Sequence, residues 1–397
     1  MKGLNTHRPL NRLGPGVLRI LYVATNIPYP RECGGTVHVR GEVRELRRRG
    51  HKIALCAKAE PGLEEGELDG MPVHRFSWRY RDVWAFQAVQ RWAHGLRIAR
   101  IAREWKADVV YERESSLGSG AVAASLAKLP LVVEVNDTWW NRRSLERAAR
   151  IVSTTGENRS VVPSRYHGKT RFIDCGVEAR LFENAAPERI PGAAGKRLVG
   201  YTGSLLAWHG IEDLAAALPH LLAQVPDAAL LVGGEARTPE GRALVERLEG
   251  TVRRAGLPGA LILLGRVPYA RMPGVLAACD VCVAPYNPGP EPKLREHGFF
   301  YSPMKVWDYM AAGRAVVATD VGNLSRMLGH GRGELVPPGD PRALATAIAR
   351  LLGDPDRRAW MGVSAREYAK QHSFEVLGDE YEGAILEAVR EGGGRGA

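Results

Sequence analysis

A chain of 397 residues with 45% hydrophobic and 25% charged positions is a globular protein with enough sequence for two cores. It has no run of about 18 apolar residues, which excludes a membrane-spanning helix, and its five scattered cysteines exclude a disulfide framework. The net charge of +11 favours anionic partners, but the arginines are strung along helix faces such as RELRRRGH, with no compact basic and aromatic patch, so nucleic acid is not an expected partner.

Residues 1–16 have no apolar signal core and are expected to be a disordered lead-in, with a cytoplasmic location. From there apolar strands alternate with helical patterns. VLRILYVAT (17–25) is a strand, followed by a Pro/Gly loop and a helix that closes at Gly50. KIALCAK (52–58) and MPVHRFS (71–77) are strands. The segment 83–105 carries tryptophans and arginines. It reads either as an ordinary covering helix or as a basic amphipathic helix touching an anionic membrane. ADVVYER (107–113), a small-residue helix (117–128) and LVVEVND (131–137) complete a parallel βαβ series.

The pattern restarts after ENAAPERIPGAAGK (183–196), a stretch without apolar period. Strands are expected at 197–204, 228–234, 260–266, 281–286 and 314–320, with helices between them. The expected fold is α/β: two Rossmann-like doubly wound domains, 17–185 and 186–374, facing one cleft. A last helical stretch, 375–397, would cross back to the first domain. Cys279 and Cys282 have C-x-x-C spacing, but no second pair completes a metal site, and core packing is the preferred reading.

Open α/β sheets bind ligands beyond the carboxyl ends of their strands, so the loops there hold the candidates. In NIPYPRECGGTVH, Gly34 and Gly35 let backbone approach a ligand, and the next helix offers amides to an anion. A plain glycine turn fits equally well, and the spacing is not G-x-G-x-x-G. His38, one turn inside, faces a ligand or packs locally. VVYERES puts Glu112, Arg113 and Glu114 at the sheet edge. VVEVNDTWW buries Glu134, which requires a partner or a function; pairing with Arg113 and a functional role are equally open. YTGSLLAWHG ends a strand at Gly203, with Ser204 and His209 bracketing a loop before a helix at Ile211.

GFFYSPMKVWDYMAAGRAVVATD (298–320) is the densest segment. Ser302 is expected to cap a helix of about 303–312, with Pro303 at its first position and Gly313 just past its end. Met304 and Trp307 lie on its apolar stripe. Lys305 and Asp308 stand at i and i+3. They form either a surface ion pair of little worth or a ligand site, because a lysine near a helix N-terminus opposes the dipole unless an anion sits there.

These segments resemble the family 4 glycosyltransferases of GT-B fold, from about residue 18 to about 385. SPMKVWDYMAAGRAVVATD matches a signature of the type S-P-x-K-x-x-E-Y-M-A-x-G-x-P-V-V-A. Support comes from the GG loop with His38, YER (111–113), EVN (134–136), YTGSLLAWHG, LLGRVPYARMPGVLAACDVCVAPY (263–286) and QHSFEVLGDEYEGAI (371–385). The resemblance implies transfer of a sugar, with retention, from a nucleoside diphosphate (UDP, GDP or dTDP) to an acceptor hydroxyl. It implies no metal and no further cofactor. The acceptor would be a cell-surface glycan, a lipid-linked glycan or a small natural product.

By the same resemblance the donor lies on the second domain. Arg266 and Val267 would flank the base and Asp308 the ribose. Gly203, Ser204 and His209 would lie by the diphosphate together with Ser302, Pro303 and Met304, while Gly34 and Gly35 approach from the other domain. Lys305, His209 and Glu112 would carry the chemistry, and His38, Arg113, Glu134 and Asn136 would meet the acceptor. Three departures from the family pattern cover four positions. Ser204 and His209 stand where many members have Arg and Lys, Phe300 stands where many have Glu, and Asp308 replaces the usual Glu. Those departures motivate an alternative, a catalytically silent sugar-nucleotide-binding protein that partners an active transferase.

Overall fold

The computed structural model describes residues 16–78, 84–113, 117–154, 159–236 and 238–393. All but Gly16 of the expected lead-in, and Glu114, lie outside them. The chain forms two compact units. The first holds the described residues before 155, then Arg159–Asp174, then those from Leu377 onward; the second spans Cys175–Val376.

The first unit is built on eight strands: β1 (Arg19–Ala24), β2 (Lys52–Lys58), β3 (Gly66–Leu68), β4 (Met71–Phe76), β5 (Val109–Glu112), β6 (Leu131–Val135), β7 (Arg150–Ser153) and β8 (Thr170–Phe172). Their order is β3-β4-β2-β1-β5-β6-β7-β8. All neighbours are parallel except β3 and β4, which form a hairpin. The central strands are continuous apolar runs because a parallel sheet is covered on both faces. β1 is buried at every residue but its first. β3, β7 and β8 were not expected. β3 and β8 are the edge strands and β7 lies next to β8; with three or four residues each, they are too short to show a period.

The final helix, Phe374–Gly393, contributes Tyr381, Ala384, Ile385, Ala388 and Val389 to the first unit's core. Arginine–carboxylate pairs fasten it along that sheet. Arg49 bonds Asp379 (2.5 Å) and Glu382 (2.9 Å), Arg150 bonds Glu387 (2.8 Å), and Arg171 bonds Glu380 (2.6 Å) and Glu387 (2.5 Å).

The second unit has six parallel strands: β9 (Arg197–Thr202), β10 (Ala228–Gly233), β11 (Leu261–Gly265), β12 (Val281–Ala284), β13 (Ala315–Thr319) and β14 (Glu334–Val336). Their order is β11-β10-β9-β12-β13-β14. β14 was again too short to expect. Cys279 and Cys282 are buried and unbridged, and a Cβ on Gly200 of β9 would lie 2.5 Å from the Cys279 sulfur, so this pair fills the core as the spacing analysis preferred.

Both sheets have a point where strand order reverses and the loops on either side part. In the first unit it falls between β1 and β5, in the second between β9 and β12. At the second, the loop after β9 passes against the loop after β12. Gly210 has φ +76°, and a Cβ there would sit 1.5 Å from the Pro285 carbonyl oxygen. Gly210→Ala combines a left-handed backbone with a main-chain clash. It should cost about 3 kcal/mol or more, read as a lower urea midpoint for the full chain. An unchanged midpoint would mean that the two loops can separate freely.

Candidate functional site

The second unit gathers its candidates at the carboxyl edge around that reversal point. The helix of the SPMK segment runs Met304–Ala311. This corrects the expected start. Pro303 is the cap residue, with φ −80° and ψ 75°, and no side chain caps the helix. The turn is closed by main chain instead, with Met304 N donating to Ser302 O at 2.9 Å and Val306 N to Pro303 O at 2.8 Å. The Ser302 hydroxyl oxygen is buried and has no hydrogen-bond partner among the described residues.

Lys305 and Asp308 do not pair with each other. The Lys305 ammonium donates to the Tyr201 hydroxyl at 2.9 Å and stands 4.2 Å from the Tyr201 ring centroid and 5.1 Å from that of Tyr286. Among the described residues no carboxylate lies within ion-pair distance of it. Burial therefore pushes its ammonium well below the ordinary lysine value. Gly203 makes room for this side chain, since a Cβ there would lie 3.0 Å from Lys305 Cε.

The loop after β9 is braced from inside. The Ser204 carbonyl accepts from the Tyr201 hydroxyl at 2.7 Å and from His209 Nδ1 at 2.6 Å. Burial, reinforced by the Lys305 charge, holds the His209 imidazole well below its ordinary value. His209 is thus a neutral brace that positions Ser204 and adds no charge. Trp208 stacks on Tyr301 with centroids 5.1 Å apart and on Tyr286 at 5.9 Å. Phe300 is fully buried beside this wall.

Asp308 accepts the Tyr269 hydroxyl at 3.0 Å. Burial pushes its carboxyl up to about 7, against the lowering effect of that hydrogen bond. Tyr269 belongs to the loop that opens with Arg266 and Val267 after β11. A Cβ on Gly233 would lie 3.1 Å from Val267, and one on Gly234 would lie 2.2 Å from the Gly203 carbonyl oxygen. Glycines therefore let the loops after β9, β10 and β11 close on each other. Gly233, Gly234, Tyr201, Tyr269 and Tyr286 were not singled out from the sequence. The Gly-Gly pair ending an apolar strand was the available signal for Gly233 and Gly234.

In the first unit, the helix Gly34–Arg48 begins at the β1–β5 reversal point without a side-chain cap. Gly35 faces Arg113, whose Nη1 would be 3.8 Å from a Cβ there. His38 is buried, and its Nε2 donates to Glu134 Oε1 at 3.0 Å, with Glu42 Oε1 at 3.1 Å. Tyr111 donates to Glu134 Oε2 at 2.9 Å, Asn136 donates to its Oε1 at 3.3 Å, and Arg113 Nε lies 3.5 Å away. Tyr22 donates to Glu42. Burial raises both acids. In Glu134 the His38 and Arg113 charges outweigh it and hold the carboxyl near about 2, while Glu42 stays raised. Donor atoms of His38, Glu42 and Glu134 lie within 4.8 Å of one another, close enough to hold a cation. Yet the separations of 3.0 and 3.1 Å are hydrogen-bond lengths, and Arg113 already supplies positive charge, so the set fits a salt-bridged network better than a metal centre.

The surroundings of Glu112 are those of a helix cap. Glu112 is fully buried, and its Oε1 accepts the Gly120 amide at 2.6 Å, inside the first turn of the helix Ser119–Ala127. A Cβ on Gly120 would lie 2.9 Å from Glu112 Cβ. The residue at the cap position of that helix is Gly118, which has no side chain to offer, and Glu112 takes its place. It belongs to the first unit, Lys305 and His209 to the second.

The model for "Glycosyl transferase 4-like domain" matches residues 34–161, and that for "Glycosyl transferases group 1" matches residues 196–354. The chain belongs to the family 4 glycosyltransferases of GT-B fold. Among curated relatives of this GT-B chain is the GDP-mannose-dependent monoacylated α-(1-6)-phosphatidylinositol monomannoside mannosyltransferase of Corynebacterium glutamicum. It is 27% identical over 54% of this chain and 55% of its own length. The α-D-kanosaminyltransferase of Streptomyces kanamyceticus is 24% identical over 68% and 75%. The chain thus spans 55% of the first relative's length. Sucrose-phosphate synthase from Thermosynechococcus elongatus superposes with TM-score 0.74 at 20% identity, covering 94% of this chain and 100% of that one. HepE of Anabaena, solved with UDP and glucose, gives 0.70 at 20%, covering 93% and 99%. These two likenesses show the fold.

The Glu112 environment of this family 4 chain has a pH signature. Burial raises its carboxyl from 4.5 to about 7. The stability tied to the neutral form is therefore complete below pH 4.5 and is lost as pH rises through about 7. Wild type should lose about 3 kcal/mol relative to Glu112→Gln across that window, seen in urea melts at stepped pH. Parallel curves would remove Glu112 from this capping role.

Proposed function

We propose that the chain is a retaining glycosyltransferase that moves a sugar from a nucleoside diphosphate to an acceptor hydroxyl. The observation that carries this reading is the Lys305 ammonium. It is partly buried, turned toward Gly203 at the carboxyl edge of a parallel sheet, and has no carboxylate partner among the described residues. A desolvated cation is costly unless an anion arrives, and a diphosphate is the anion that suits this place in the fold.

In this reading the diphosphate meets Lys305 and the amides that open the helix after Gly210. Asp308 accepts the ribose hydroxyls, and the base lies by Arg266 and Val267. The bond from the anomeric carbon to the β-phosphate oxygen breaks, and the electron pair stays on the phosphate. The acceptor oxygen bonds to the same face, and its proton passes to a leaving-phosphate oxygen. Lys305 and the amides neutralise the departing charge, so the chemistry needs no metal. At the first unit's edge, His38, Arg113, Glu134 and Asn136 form a rigid polar floor for the acceptor, with Gly34 and Gly35 beside it. Mannosyl and kanosaminyl transfer by the relatives support a hexosyl donor.

Lys305→Ala should lower kcat by about 10²-fold or more in a donor hydrolysis or transfer assay. Asp308→Asn should weaken nucleotide binding by about 10-fold. Wild-type affinity should rise with pH through about 7 as Asp308 ionises, a step that Asp308→Asn lacks. Full activity in Lys305→Ala would overturn this assignment. Nucleotide binding without turnover on any donor and acceptor would favour the silent binding protein instead.

The reading extends to peripheral contact with an anionic membrane. Phe86, Val89, Trp92 and Leu96 on the helix Trp84–Glu104 are each more than half exposed, and the sequence from Trp84 to Arg103 has four arginines and no acid. Trp92→Ser with Leu96→Ser should reduce co-sedimentation with phosphatidylglycerol vesicles. Equal sedimentation of variant and wild type would remove this helix from membrane contact.

A further inference from the structure

The first unit contains a cavity that the transferase reading does not use. It measures about 630 Å³ and is lined by Arg44, Arg47, Arg48, Lys52 and Trp105 among others, a volume within the range of small-molecule sites. It lies at the amino edge of the sheet. Its walls are the last turns of the helix Gly34–Arg48, the start of β2 and the turn at Gly70. The edge that holds Gly35 and Arg113 is at the opposite ends of these strands. The seven residues of β2 put the two edges about 20 Å apart.

The charge here is one-sided. Among the described residues no carboxylate lines the cavity. Arg48 reaches back to Glu45 with two bonds of 2.8 Å, and Arg47 Nη2 lies 3.5 Å from the Gly70 carbonyl. The Arg19 guanidinium stands 4.9 Å from the ring centroid of Trp105, which lines the cavity. Of the acids nearby, Glu45 binds Arg48 and Arg49, Asp379 and Glu382 bind Arg49, and Glu382 also meets His51 Nε2 at 2.9 Å. His51 Nδ1 accepts the Leu18 amide, which fixes this side chain in the wall. Cations at the end of a helix complement its dipole. That accounts for Arg47 and Arg48, but not for Lys52 from a strand, or for their convergence on a concavity beside an indole.

We propose that this cavity is a second anion site, for a small molecule bearing a phosphoryl group, independent of the transferase site. Arginine forks and a lysine suit phosphate oxygens, and the Trp105 ring gives the rest of the ligand an apolar wall. A soluble phosphate ester and a lipid phosphate headgroup share this chemistry.

The test uses the full chain and calorimetric titration with three probes: pyrophosphate, ATP and a water-soluble short-chain phosphatidic acid. Arg44→Ala/Arg47→Ala/Lys52→Ala should weaken one class of sites by about tenfold or more, because charge-assisted bonds to phosphate are lost. Lys305→Ala should leave that class intact. Lys52→Glu alone should weaken it too, which guards against misfolding of the triple variant. Tighter ATP or pyrophosphate binding assigns a soluble ligand, and tighter phosphatidic acid binding assigns a headgroup. If the triple variant binds every probe as wild type does, or if Lys305→Ala abolishes all binding, the proposal is overturned.

Discussion

A lysine ammonium without a counter-ion among the described residues is the constraint around which the second unit is arranged. Lys305 would lower its energy by turning to solvent or to a carboxylate. The fold instead holds it against the Tyr201 hydroxyl and over two aromatic rings. Several features follow. Gly203 has no side chain because a Cβ would press on Lys305. Tyr201 and His209 tie the loop through one carbonyl oxygen, that of Ser204. His209 stays neutral, as it must beside a buried cation. Cation–π contact and one hydrogen bond offset part of the desolvation cost, and what remains unpaid gives an arriving anion its advantage.

The first unit solves the opposite problem. There the buried charges are acids, Glu42 and Glu134, and the structure neutralises them internally with His38, Arg113 and two tyrosines. A network satisfied in this way fixes geometry rather than awaiting a ligand. The two units therefore have different electrostatic characters: one edge is poised to gain a charge, the other is already balanced. That contrast suits a protein in which one unit binds a highly charged donor and the other presents a neutral hydroxyl acceptor.

The long apolar strands and the Pro- and Gly-punctuated helix of the SPMK segment were legible because each carries its own period and stop signals. β3, β7, β8 and β14 were not, since three or four residues leave no pattern. Loop position at strand ends was enough to nominate Gly203 and His209; i, i+3 spacing at a helix start, with the family resemblance, nominated Lys305 and Asp308. It could not give their partners. Tyr201 sits inside β9, Tyr286 follows β12, and Tyr269 lies 39 residues before Asp308, so only the fold brings them into contact. Glu112 shows the reverse case. A carboxylate at a sheet's carboxyl edge has the sequence appearance of a catalyst, while the Gly120 amide it accepts is a three-dimensional fact. Ser302 resembled a cap by its place before proline, but Pro303 keeps a non-helical ψ and the hydroxyl is left inside without a partner among the described residues.

The claim that the Lys305 ammonium is held desolvated for a diphosphate is tested most directly by following its titration. Lysine-selective NMR, assigned with Lys305→Met, would measure its pKa in the free chain and with UDP or GDP bound. The account expects a value well below 10.5 in the free chain and a rise on nucleotide binding, with protons taken up. An ordinary value in the free chain, or no change when nucleotide binds, would contradict it.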